Sequence, residues 1–139
     1  MDFANSILNY FAGLEDPRSS KNISHPLVNV VSIAILGTIC GANDWVAIET
    51  YGKAKEAWLG TFLDLSHGIP SHDTFGRVFG WLDETALQTQ FGEWTAQICK
   101  ATGGQVVALD GKKLRGSDDS RHQRDGIWIA LGRVRIKWF

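Results

Sequence analysis

From Phe3 to Ala101, apolar residues recur every three or four positions, the spacing of one face of a helix. Phe3, Ile7, Leu8 and Phe11 form the first stripe. The segment "GLEDPRSSKN" then reads as a loop, with Pro17 breaking the helix. Pro26 suits the first turn of a second helix, with Ser24 or His25 as its cap. The run from Leu27 to Cys40, "LVNVVSIAILGTIC", is apolar on every side, which predicts a buried core helix stopping near Gly41 and Asn43. Asp44 is placed to cap a helix carrying Trp45, Ile48 and Tyr51, and Ala54, Trp58, Leu59, Phe62 and Leu63 continue with a further apolar stripe.

"SHGIPSHD" is the clearest turn of this half. Ser71 can accept from the amides of the helix that follows, and Asp73 suits its positive end. Phe75, Val78, Phe79 and Leu82 point inward at helical spacing, leaving His72, Thr74 and Arg77 outside. A long helix from about Glu84 to Ala101 shows Leu87, Phe91, Trp94 and Ile98 on one stripe. After "ATGGQ" the period changes: "QVVAL" is rich in β-branched residues and too short for a helix, so it predicts a strand.

Composition adds bounds to this picture. The chain has 139 residues, 44% of them hydrophobic, with six Trp and seven Phe, enough for one modest domain with a packed core. Cys40 and Cys99 lack a C-x-x-C spacing, which argues against a zinc site or a disulfide framework and for buried free thiols in a reducing cytosol. The N-terminus is acidic and has no secretory pattern. The longest apolar run is shorter than the roughly 20 residues of a membrane span. The expected location is therefore the cytoplasm, with no membrane partner.

Charge divides the chain more sharply than its net value of −1 suggests. Residues 1–104 hold six Lys or Arg against eleven Asp or Glu, whereas residues 105–139 hold eight against four. The basic segment begins where the helical period stops. An acidic body with a basic tail points to different tasks for the two parts.

Three constellations are candidates for chemistry. "LSHGIPSHDTFGRVF" has the form of two helices about a Gly-containing turn, either an ordinary helical hairpin or a helix-turn-helix offering His72, Thr74 and Arg77 to DNA. The acidic surroundings favour the hairpin. His67 and His72 have no third ligand at metal spacing and suit surface or capping roles. Finally, the "VVAL" run delivers Asp110, followed at once by Lys112, Lys113 and Arg115. Asp-Gly after a strand is a hairpin-turn signal. The same carboxylate beside three cations also suits a magnesium site on a phosphodiester, although one Asp cannot hold a metal pair about 4 Å apart. The residues alone leave both readings open.

"ALDGKKLRGS" resembles the block around the first catalytic Asp of bacterial DDE transposases, more narrowly of the ISAs family that includes the H-repeat-associated proteins. "DPR", "HPL", "CGANDWVAIETYGKAKEAWL" and "GIPSHDTFGRVF" resemble that family's N-terminal region in the same order, over about residues 3 to 120. Lys113 departs from the family, which more often has Thr there. The resemblance implies an RNase H-like domain holding Mg²⁺ or Mn²⁺ through Asp, Asp and Glu, for attack on a phosphodiester. Asp110 matches the first ligand; the other two would come from far downstream and are not in these 139 residues. The implied partners are transposon-end DNA at the nucleoid and a second copy or an intact transposase.

The segment Gly126 to Phe139 alternates Arg133, Arg135 and Lys137 with apolar residues, as an edge strand does. Its codons, read from the third base of Gly126 with permitted third bases, also give HLDSAWASENQVV, close to a family block of the type HLVSAWASENQVV. That resemblance suggests a frameshift near Asp125–Gly126. The expected fold is mainly α: a helical transposase-associated domain over 1–103, the first strands of an incomplete RNase H-like α/β domain over 104–125, and an out-of-frame, poorly ordered or loosely attached tail over 126–139.

Overall fold

The computed structural model describes residues 3–19, 21, 23–101, 128–131 and 134–137. Helix α1 spans Phe3–Phe11, as its apolar stripe predicts, and buries Ile7 and Phe11 completely. Helix α2, Leu27–Ile39, runs through the centre, with eleven of its thirteen residues buried. Pro26 stands at its N-cap rather than in its first turn, and neither Ser24 nor His25 caps it. Instead the Pro26 carbonyl accepts from the Asn29 and Val30 amides at 3.0 and 3.3 Å. Pro26, at φ −54° and ψ 144°, has no amide of its own to satisfy at this helix start.

Helix α2 stops where the chain needs a left-handed residue, supplied by Gly41 at φ 101°. Cys40, the residue before it, is exposed and free rather than buried, because the chain leaves the core at this cap. Helix α3, Trp45–Ala54, begins as expected at Asp44, whose carboxylate accepts from the Ala47 amide at 2.6 Å. It buries Ile48 and packs on α2. Helix α4 is a single turn, Glu56–Leu59. From the stripe expected there, Leu59 and Leu63 reach the core, while Trp58 stays 44% exposed. So short a helix turns only one side inward.

Helix α5, His72–Trp81, buries Phe75, Val78 and Phe79 against α2 and α3, with Leu82 buried just beyond its end. Trp45 of α3 stacks on Phe75 at 6.4 Å between ring centres, with the planes 4° apart, and meets Phe79 at 5.0 Å. Helix α6, Glu84–Ala101, has the predicted limits and buries Leu87, Phe91 and Trp94. Phe11, Phe91 and Trp94 form an edge-packed trio that joins α1 to α6. The buried Trp94 indole donates to Ser6 Oγ at 3.0 Å, so neither polar atom is left bare.

Two further strands are described, β1 (Trp128–Leu131) and β2 (Val134–Lys137). They pair antiparallel, Trp128 opposite Lys137 and Leu131 opposite Val134, and β1 lies beside α6. Both strands fall within the stretch whose alternation predicts an edge strand. β-Branched and aromatic residues at period two favour a strand in whatever reading frame they arose, and a neighbouring helix supports a hairpin that would be marginal alone. The strand expected at 105–109 lies outside the described residues.

Candidate nucleic-acid interface

One cleft brings together polar side chains from separate parts of the chain. It lies between Arg18, Ser19, Lys21, Ile23, Ser24 and His25 on one side and the outer face of α5 on the other, with a volume of about 380 Å³. The wall formed by residues 18–25 is built by a local clamp. Asp16 accepts from the Arg18 amide and Nε, both at 3.0 Å, and from Arg18 Nη2 at 2.9 Å. Nη2 also donates to the His25 carbonyl at 2.8 Å, which ties the two ends of the loop together. These guanidinium hydrogen bonds hold the Asp16 carboxyl below the usual carboxylate range, outweighing the opposing effect of partial burial. Burial, and then the nearby His67 and Arg18, push the His25 imidazole below its ordinary value, so it faces the cleft as a neutral group at neutral pH.

The opposite wall is the stripe Thr74, Arg77, Val78 and Trp81 of α5. Helix α5 is set in place by its N-terminus. Ser71 Oγ accepts from the Thr74 amide at 3.3 Å, as the sequence predicts. A second acceptor was not foreseen: Glu49 of α3 takes the His72 amide at 2.7 Å, His72 Nδ1 at 3.2 Å and Lys53 Nζ at 3.1 Å. The His72 amide is the first cause of a lowered Glu49 pKa, followed by Lys53. His72 therefore fastens α5 to α3 and does not line the cleft.

Neither two-helix form read for this segment, the favoured hairpin or the helix-turn-helix, is the one found. Such a motif joins its helices through about 3–4 residues. Here residues 60–71 separate α4 from α5, and α4 is one turn long. The intervening segment is held to the core by Asn29 Nδ2, which donates to the Asp64 carbonyl at 2.7 Å.

Thr74 and Arg77 are thus brought together, joined by three residues that sequence reasoning did not assign: Arg18, Lys21 and Trp81. Trp81 lies four residues beyond Arg77 on the stripe opposite the apolar one, a signal that was present but unused. Asp110, Lys112, Lys113 and Arg115 lie outside the described residues. Among the described residues, no group of three His, Cys, Asp or Glu is arranged to hold a metal ion, and no helix is long and apolar enough to cross a membrane.

Comparison with known proteins places this arrangement in a family. The DDE_Tnp_1-associated family matches residues 8–95, the region that contains both walls of the cleft. A protein from the dhlA 3′ region of Xanthobacter autotrophicus is 44% identical over 112 residues, which is 78% of this chain and 37% of that protein. "Putative transposase YncI" of Escherichia coli K12 is 33% identical over 142 residues, covering 95% of this chain and 57% of the relative. "H repeat-associated putative transposase YhhI" of the same strain is 28% identical over 123 residues, 88% of this chain and 32% of the relative. The chain thus spans between about a third and somewhat over half of the length of these relatives. No solved structure gives a significant match. With the match extending from α1 into α6, the chain belongs to the DDE_Tnp_1-associated family, among relatives named "H repeat-associated putative transposase".

Proposed function

We propose that this chain is the N-terminal part of an insertion-sequence DDE transposase, and that its helical body binds the DNA of transposon ends. The observation that carries the reading is the family match over residues 8–95, within which an otherwise acidic body sets Lys21 and Arg77 around one cleft beside the Asp16-paired Arg18. Cations grouped in this way neutralise phosphates and displace counterions, which makes binding steeply dependent on salt. Asp110 is the residue that would hold the first divalent ion, with Lys112, Lys113 and Arg115 beside the phosphodiester. Bound with its full set of carboxylates, the metal would supply an activated oxygen nucleophile for cleavage and strand transfer. The 139 residues by themselves are expected to bind DNA without cutting it.

A second reading is a non-enzymatic module that occupies transposon ends in competition with an intact transposase. The core closed by α1 to α6 favours it, since the body buries its aromatic centre without needing a nuclease domain. A gel-shift assay on the terminal repeats tests both readings. Binding that weakens steeply with salt is expected, and absent or salt-insensitive binding sinks them. Magnesium-dependent nicking by the purified chain would overturn the expectation that it does not cut.

A further inference from the structure

We propose that the cleft between residues 18–25 and α5 seats one unpaired nucleotide of a DNA strand, with its phosphate against Lys21 and Arg77 and its base on the Trp81 indole. This deepens the DNA-binding reading and rests on it for the kind of polymer, but not for any terminal sequence.

Charge is the first support. Of the six Lys and Arg in residues 1–104, three line this cleft, and among the described residues no carboxylate lines it. Asp16 compensates Arg18 through an ion pair of 2.9 Å. Lys21 and Arg77 are exposed, and neither makes an ion pair with another described residue. Two uncompensated cations facing one cavity suit a single phosphodiester group.

The second support is Trp81. It is 58% exposed, the most exposed of the large hydrophobic residues whose burial is described in the helical body, and it lines the same cleft as those cations. Thr74, Arg77 and Trp81 sit at three- and four-residue spacing, so hydroxyl, guanidinium and indole follow one another along a single stripe of α5. Trp81 is the C-terminal residue of α5, and Leu82 just after it is buried, so the exposed indole is carried on an anchored backbone. An indole face beside cations is the arrangement that stacks a base while the backbone phosphate is held alongside.

Size decides between a single nucleotide and a duplex. A space of about 380 Å³ falls at the small end of the range for ligand pockets, roughly 300–1,000 Å³. It is of the scale of one base with its sugar and phosphate, so a base seated inside it has left its partner strand. A stacked base must therefore be unpaired, as at an overhang, a nick or a frayed end.

The test uses the full chain and two probes, an oligothymidylate lacking any terminal-repeat sequence and a blunt duplex of the terminal repeat, both followed by fluorescence anisotropy at low salt. Trp81→Ala should weaken the oligothymidylate about tenfold, the scale of one lost stacking contact, and weaken the blunt duplex by less. Trp81→Phe should retain most of the affinity, and Arg77→Ala should weaken the oligothymidylate and flatten its salt dependence. An unaltered melting temperature in each variant confirms that folding is intact. The proposal is overturned if the oligothymidylate does not bind, or if Trp81→Ala binds it as well as the parent chain. Loss of duplex binding alone, with the Trp81 dependence retained, would remove the transposon-end reading while supporting the nucleotide cleft.

Discussion

Helices α2 and α5 lie against each other, yet they differ in almost every respect. Eleven of thirteen residues in α2 are buried, against three of ten in α5. Helix α2 has no acidic residue in its first turn and no basic one in its last, whereas α5 begins with a Ser cap and an Asp and carries Arg77 and Trp81 outward. One helix has every side occupied by packing. The other has a single packed stripe, and its remaining surface is available for contacts with other molecules. A helix of the second kind can carry function without loss of stability.

That contrast is easiest to break with Ile33→Ala in α2. The fully buried side chain leaves a cavity, and unfolding free energy should fall by about 2–5 kcal/mol in chemical denaturation. Gly52→Ala comes next. A Cβ there would lie 2.7 Å from Ile69 Cγ2 and 3.3 Å from Ile33 Cγ2, where α3, α2 and the segment before α5 converge. Overpacking at this point should cost about 1–3 kcal/mol by the same measurement. Ser71→Ala removes the side-chain cap of α5 and should cost roughly 1 kcal/mol. Glu49 still accepts from the His72 amide in that variant, so the helix should persist in circular dichroism.

Arg77→Ala should lie within about 0.5 kcal/mol of the parent in stability, since its side chain is exposed. A loss as large as that of Ile33→Ala would erase the distinction between the two helices. The smallest effect concerns pH. The Asp16 pKa is lowered in the folded chain, so its contribution is present above the unfolded value of about 4. That contribution is lost as pH falls through the lower folded value. Asp16→Asn should therefore reduce the melting temperature slightly at neutral pH, and the difference should vanish under strongly acidic conditions.

Much of this was legible along the chain, because helical period, caps and breakers are local. The limits of α6, the Asp44 and Ser71 caps, and the inward set Phe75, Val78, Phe79 and Leu82 all follow from neighbours within one or two turns. The family is also readable from motifs in order, and residues 8–95 bear it out. What failed did so for non-local reasons. Trp58 obeys a helical stripe, but its helix lasts one turn. Cys40 continues an apolar run, but the run leaves the core at that residue. His72 is on the outer face as read, but its partner Glu49, which takes both its amide and its ring, lies 23 positions earlier in the chain.

The sequence alone therefore determined which segments become helices, which face each turns inward, and the family to which they belong. It did so because those properties depend on spacing within a few residues. The tertiary structure decided which outward residues meet. Arg18 and Trp81 are far apart in sequence and neither belongs to a recognisable motif with the other, yet a clamp at Asp16 and an anchor at Glu49 set them on opposite walls of one cleft. No local pattern encodes that pairing, because it is fixed only when α5 docks on α2 and α3.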